Sequence, residues 1–506
     1  MEIGNMGHWI AWWSRVEYER KAVVFHGKCI SYGELNDNIN KVAGLLKEHF
    51  HVKKGDRVCC LLNNAIEYYE FVFACAKTGA RFVPINIRLS GNEIGYVLKN
   101  CEPKLLISEN SFLAVLDTVK DLVRKRAFIN LEESSFKRLM DMASNREPED
   151  QACWSDDFAI LYTSGTTGYP KGAVLTQENI KTICQNAVTA YSHGSESKVL
   201  IQAPLCFTGG LVTLSMPMFY SGGSIVLEKT FIPQRTLELI QKENITWCAA
   251  VPTIWKVVSD LPEFADADLS SLRFAFSGGA PVPDSILKAY QEKGVTFSAG
   301  YGLTEGGGFN MYLPFKMANH KKGGYIPMMW NLIKVVNSDG NPISPGGEIG
   351  EILIKGSVVF REYWGMPEAT AETIRDGWLY TGDLASIDED GYYFIIDRVK
   401  DMIISGGLNI YPAEIENAIY MNPKVSQTAV IGLPHEKWGE IVTAVVVPRH
   451  GIDLTEEELV RFCRERLADY KSPKRVIFRK EMPMTSSGKI LKRKLREEYS
   501  ERVANI

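Results

Sequence analysis

Residues 162–172 read YTSGTTGYPKG and follow the apolar run FAILY at 158–162. Three glycines, four small hydroxyls (Thr163, Ser164, Thr166 and Thr167) and one lysine fall within these eleven residues. Glycine lets a backbone turn tightly and approach a ligand closely. Successive backbone N–H groups in such a turn form a concavity for an anion. Gly165 and Gly168 supply the turn, the hydroxyls add donors, and Lys171 brings positive charge toward the β- and γ-phosphates of a nucleotide. A Walker A loop requires Gly-Lys-Ser/Thr. Here Pro170 precedes Lys171 and Gly172 follows it, so the loop is of another kind. The competing reading is a polar glycine-rich turn with no ligand.

In this order of residues the loop resembles the phosphate loop of the adenylate-forming superfamily, which holds acyl-CoA synthetases, peptide-synthetase adenylation domains and luciferases. Further family motifs appear in order over nearly the whole chain. Ser277-Gly278-Gly279-Ala280 resembles the segment that lines nucleotide and acyl carboxylate. YGLTE at 301–305 resembles the next core motif. The resemblance implies that Tyr301 stacks on adenine beside Gly302, that Thr304 contacts the α-phosphate, and that Glu305, with Thr167, holds Mg²⁺. GWLYTGD at 377–383 resembles the ribose site, where Asp383 can accept two O–H donors from a diol. Ile395, next to Tyr393 and Phe394, would flank adenine. DRVKD at 397–401 resembles the hinge, with Arg398 on ribose or phosphate and Lys400 as pivot. SGGLNIYPAEIE at 405–416 resembles the loop of the thioester step, placing Gly406, Gly407 and Leu408 near pantetheine. GLPHEKWGE at 432–440, with Trp438, resembles a segment close to CoA, and PMTSSGK at 483–489 ends in the adenylation lysine, Lys489. Taken alone these signals are weak: YGLTE could start a helix capped by Thr304, and Asp383 could be a turn aspartate.

The implied activity is an ATP-dependent acid–CoA ligase working through acyl-AMP. A carboxylate is ionised at neutral pH and needs no general base. The enzyme supplies positioning and charge stabilisation, with Lys489 bridging carboxylate and α-phosphate. The cosubstrates are ATP and CoA, with Mg²⁺. The runs DMIISGGLNIYPAEIE and GLPHEKWGE are most similar to bacterial fatty-acid–CoA ligases. Phe207, in APLCFTGGL at 203–211, stands where the family usually has histidine. Phe207, Gly210, Leu211, Trp247 and Val251 are expected to line an apolar acid pocket, with core packing as the competing reading for Trp247 and Val251. An aliphatic acid suits such walls. An aryl acid, or an acyl-AMP ligase loading a carrier protein, are the alternatives. GGYIPMMW at 323–330 departs from the family's smaller, glycine-richer stretch.

These residues need elements to hold them. YGELNDNINKVAGLLKEH at 32–49 carries Leu35, Ile39, Val42, Leu45 and Leu46 at helical spacing. Apolar runs VCCLLNN, RFVPIN and residues 199–203, 224–227, 247–251 and 272–277 alternate with helical patterns, as in parallel α/β layers. From about residue 347, GEIGEILIKG and GYYFIIDR alternate at period two with glycine punctuation. After residue 400 the pattern reads helix (AEIENAIYMN), strands (SQTAVIGL, IVTAVVVP), helix (TEEELVRFCRERLAD), strand (KRVIFRK), helix. The expected fold is α/β: a large multi-layered N-terminal domain with a β-rich subregion over 1–398, and a small α+β domain on a hinge over 399–506.

Composition bounds the rest. The chain has 506 residues, 45% hydrophobic and 23% charged, with formal net charge −4. That length argues for two or more domains, and that charge gives no reason to expect nucleic acid. The ten cysteines form no CxxC pair, which argues against zinc spacing and a disulfide framework and for a cytoplasmic setting. The N-terminus does not read as a signal peptide, and no apolar run reaches the roughly 18 residues of a membrane helix. Peripheral membrane contact and homo-oligomerisation stay open.

Overall fold

The computed structural model describes residues 4–149, 152–163, 170–278, 284–318, 320–321, 323–485 and 489–503, without the side chains of Asp284 and 501–503. It contains two compact units, Met1–Ile333 with Ile354–Leu379, and Lys334–Leu353 with Tyr380–Ile506. The expected division at 398/399 differs from this grouping, since residues 334–353 and 380–398 belong to the second unit.

In the first unit, one sheet runs Glu362–Tyr363, Lys171–Thr176, Asp157–Thr163, Arg81–Pro84, Arg57–Leu61, Leu105–Ser108 and Ala127–Asn130. Its last strands pair in parallel, joined by helices such as Ile66–Thr78 and Gly91–Cys101. The stretches VCCL and FVP are apolar and buried because helices cover both faces of such a sheet. A second run of strands leads from Gly324–Pro327 through Met311–Tyr312, Phe297–Tyr301, Phe274–Ser277, Trp247–Ala250, Lys198–Ile201 and Ser224–Leu227 to Lys21–Phe25 and Lys28–Ser31. The helix Tyr32–Gly44 starts on a reciprocal cap. Ser31 Oγ accepts from Glu34 N, and Glu34 Oε2 accepts from Ser31 N. The expected helix therefore begins where read, but its last turn, Leu45–His49, widens to a π-helix. The helix Gly7–Val16 has no counterpart in the sequence reading.

In the second unit, Val425–His435 and Gly439–Pro448 form a long antiparallel hairpin with Arg475–Phe478 parallel to its second strand. Alternate residues serve two cores, because successive strand side chains point to opposite faces. Val430, Val442, Ala444 and Val446 pack with Ile415, Ile419, Leu459 and Cys463. Ala429, Ile431, Leu433 and Val445 pack with Leu495 and Tyr499 of the terminal helix Lys492–Val503. Among the described residues, no helix is long and apolar enough to cross a membrane.

Candidate active site

Strands Asp157–Thr163 and Lys171–Thr176 pair antiparallel with Thr163 opposite Lys171. They hold the two ends of the glycine-hydroxyl segment expected to bind phosphate. Ser164, Gly165, Thr166, Thr167 and Gly168 lie outside the described residues, as do Gly279 and Ala280. Gly278 follows the strand Phe274–Ser277.

Glu305 sits in a single turn, Thr304–Gly306, just after the strand Phe297–Tyr301. Its Oε1 accepts from the Tyr363 hydroxyl at 2.7 Å and from Thr163 Oγ1 at 3.4 Å. Lys171 Nζ lies 4.9 Å from the centroid of the same Tyr363 ring. The structure thus brings Thr163, Lys171 and Glu305 together. The Thr304 hydroxyl shares a hydrogen bond of 2.7 Å with Thr208. Tyr301 and Gly302 precede this turn. A Cβ at Gly302 would stand 1.9 Å from the Gly308 carbonyl oxygen, so only glycine fits there. Tyr363 escaped the sequence reading: it reaches Glu305 only because Glu362–Tyr363 pairs with Lys171–Thr176, and nothing local in GSVVFREYWG announces that pairing.

A second group lies in the other unit. Asp383 and Arg398 face each other across an antiparallel pair, and Arg398 Nε is 3.1 Å from Asp383 Oδ1. Asp383 is buried, and its backbone N–H donates to Thr381 Oγ1 at 3.1 Å. Ile395 lies on the strand paired with Asp383's, opposite Ala385. Lys489 joins this pair electrostatically. Surrounding protein lowers its pKa most, the Arg398 guanidinium lowers it further, and the Asp383 carboxylate opposes both. The Lys489 backbone is fixed by exchange with Thr485, its N–H donating to Thr485 Oγ1 at 2.9 Å and its carbonyl accepting from Thr485 N at 2.6 Å. Lys400 follows in the turn Val399–Asp401, its pKa lowered by burial and then by Arg398.

Gly406 and Gly407 turn the tight hairpin between Ile403–Ser405 and Leu408–Ile410. Gly406 adopts φ +58°, and a Cβ there would meet the Trp438 ring at 2.8 Å. Gly406 N donates to Trp438 O at 2.9 Å. The glycine loop and the GLPHEKWGE turn are therefore one surface, on which the Leu408 and Trp438 side chains are exposed.

The residues expected to line the acid pocket divide. Phe207 is half-buried and Gly210 buried, its missing Cβ facing the Pro204 carbonyl at 2.6 Å. Leu211 is fully buried, and the Trp247 ring packs 5.8 Å from Tyr191 and 4.7 Å from His193. The strand ends at Ala250, and Val251, 45% exposed, begins the helix Pro252–Ser259 as its cap.

His193 shares Trp247's burial. Neither His193 Nε2 nor Trp247 Nε1 has a hydrogen-bond partner among the described residues. Burial pushes the His193 pKa from 6.5 down to about 3. The folded state keeps this ring neutral, whereas the unfolded chain binds a proton below about pH 6.5. Stability tied to His193 is whole above pH 6.5 and is lost as pH falls toward 3, at about 1.4 kcal/mol per pH unit. His193→Phe should remove that slope. Urea unfolding at neutral and mildly acidic pH measures it, and equal slopes in both proteins would refute it.

Comparison with known proteins fits this geometry. A family model described as AMP-binding enzyme matches residues 10–364, and one described as AMP-binding enzyme C-terminal domain matches residues 414–489. The chain belongs to the AMP-binding enzyme family, within the adenylate-forming superfamily. It is 38% identical over 501 residues to a feruloyl-CoA synthase of an Amycolatopsis species, covering 99% of this chain and 100% of that one. It is 36% identical over 475 residues to the long-chain-fatty-acid–CoA ligase FadD13 of Mycobacterium tuberculosis, covering 93% of each. The solved structure of a Mycobacterium tuberculosis fatty acyl CoA synthetase matches with TM-score 0.81 at 35% identity, covering 98% of this chain and 99% of that one. Within its family the chain is an AMP-forming ligase of the acid–thiol class.

Proposed function

We propose that this enzyme activates an apolar carboxylic acid as its acyl-adenylate, with ATP, and transfers the acyl group to CoA. The observation that carries the reading is the Glu305 carboxylate, held by Tyr363 and Thr163 beside the strand that begins at Lys171. An anionic oxygen next to a lysine, at the two ends of a glycine-hydroxyl loop, suits a metal-bound triphosphate. Glu305 is a hard oxygen donor, and among the described residues no group of three or more His, Cys, Asp and Glu could hold an ion by itself. That fits Mg²⁺, which is commonly held by one or two carboxylates and substrate phosphates. The bound ion would neutralise triphosphate charge, with Glu305 and Thr167 as its protein ligands.

Each remaining residue then has a task. Lys171 and the loop steady the departing pyrophosphate, and Thr304 meets the α-phosphate. Tyr301, with Gly302 beside it, would stack on adenine; Ile395 would flank it; and Gly278, Gly279 and Ala280 would line nucleotide and acyl carboxylate. Asp383 and Arg398 hold the ribose. Lys489 stabilises charge between carboxylate and α-phosphate. Lys400 is the pivot at the 398/399 boundary, and Gly406, Gly407, Leu408 and Trp438 guide the thiol. Phe207 and Gly210 bound the acid. The unpaired cysteines suit a reducing cytoplasm.

Two acid classes are in view. The match to FadD13 supports an aliphatic acid, and the match to feruloyl-CoA synthase favours a second reading, an aryl-substituted acid. AMP release from ATP should require both an acid and CoA. A panel of aliphatic acids of rising length against benzoates and cinnamates, each with CoA or with a phosphopantetheinylated carrier protein, decides class and acceptor. Release with carrier protein but not CoA would overturn the proposed acceptor.

A further inference from the structure

The segment around Tyr363 is stitched to Glu305 and to the strand that begins at Lys171. Phe360 N donates to the Glu305 carbonyl at 2.8 Å, Arg361 N to the Val174 carbonyl at 2.9 Å, and Trp364 N to the Gly172 carbonyl at 2.7 Å. The Tyr363 ring is buried, braced edge-on by Phe360 at 4.7 Å. Its backbone N–H donates to Thr370 Oγ1 at 2.9 Å. The ring can hardly turn away. Its hydroxyl donates to the Glu305 carboxylate at 2.7 Å, and Lys171 Nζ stands 4.9 Å from its centroid.

We propose that Tyr363 is a positioning residue of the triphosphate site: its hydroxyl aims the Glu305 carboxylate while its ring face carries the Lys171 ammonium. The inference rests on the adenylation reading above. Lys171 and Glu305 have opposite charge and share one neighbour, yet among the described residues they form no ion pair. A direct pair would spend each charge on the other. The phenol instead occupies one carboxylate oxygen through a single donor, and the quadrupole of the ring attracts the cation without neutralising it.

Two variants separate the two contacts. Tyr363→Phe deletes the hydroxyl and keeps the ring; Tyr363→Leu deletes both. Mn²⁺ serves as a spectroscopic stand-in for Mg²⁺, its binding followed by electron paramagnetic resonance in the presence of a non-hydrolysable ATP analogue. Metal-free binding of the analogue is followed by calorimetry. A hydrogen bond to a charged group is worth about tenfold in affinity. Tyr363→Phe should raise the Mn²⁺ Kd about tenfold and leave metal-free nucleotide affinity and the KM for the acid within twofold of wild type. Tyr363→Leu should weaken metal-free nucleotide binding as well. Wild-type Mn²⁺ affinity in Tyr363→Phe overturns the proposal, as does equal loss of metal and nucleotide binding in both variants, accompanied by a lower Tm, the mark of a merely structural side chain. Wild-type protein that binds no nucleotide would instead defeat the adenylation reading, and this assignment with it.

Discussion

Lys489→Ala should lower acyl-adenylate formation about a hundredfold to a thousandfold, the usual cost of deleting one group that stabilises transition-state charge. Acid-dependent pyrophosphate exchange measures that half-reaction. Thioester formation from supplied acyl-AMP and CoA should stay within a few-fold of wild type, because in that step AMP leaves and no pyrophosphate bond is broken. A parallel fall in both half-reactions, with the fold intact, would refute the role. The same residue sets a pH signature. Crowding by protein and the nearby Arg398 hold its pKa below the usual 10.5. The ammonium is the useful form, so adenylation kcat/KM, which reports the free enzyme, should decline on the alkaline side at a pH below that of an ordinary lysine. Lys489→Arg should push the decline to higher pH, since guanidinium does not titrate there.

Gly302→Ala should be nearly as damaging, by a different route. The new methyl would meet the Gly308 carbonyl oxygen at 1.9 Å and its carbon at 2.4 Å. Both are backbone atoms, so no side chain can swing aside. Either the strand end or the turn carrying Thr304 and Glu305 must shift, breaking the Thr304–Thr208 and Glu305–Tyr363 hydrogen bonds. The expected loss is about 3 kcal/mol of stability and more than tenfold in ATP affinity. Chemical denaturation and calorimetry would record them. Gly194→Ala is the control: a Cβ there meets nothing within 4 Å. Unchanged ATP affinity in Gly302→Ala would show that the turn tolerates displacement.

What the sequence offers toward this candidate site is local. A glycine-hydroxyl loop, YGLTE and GWLYTGD each gather chemistry-bearing residues into a few positions, so type and order alone nominate them. The alternation of apolar strands with amphipathic helices likewise reported the α/β layers, because burial on both faces leaves its own composition. What stayed hidden was long-range. Tyr363 acts through a two-residue strand whose partner lies far back in the chain. Trp247 and Val251 share one apolar run, yet one is a core ring and the other a half-open helix cap. Hydrophobicity alone cannot tell a pocket wall from a packed interior. The grouping of residues 334–353 with the C-terminal unit was invisible for the same reason: composition changes near residue 398, but packing partners do not follow composition.

The short strand Glu362–Tyr363 also matters to how the protein is made. It closes the margin of a sheet whose next strand begins at Lys171. Until the ribosome has released residue 363, that margin presents unpaired amides and carbonyls, which invite association with other chains. Pairings between such distant segments form late and slowly. A nascent polypeptide halted before this point would therefore carry an open sheet edge through about seven-tenths of its synthesis.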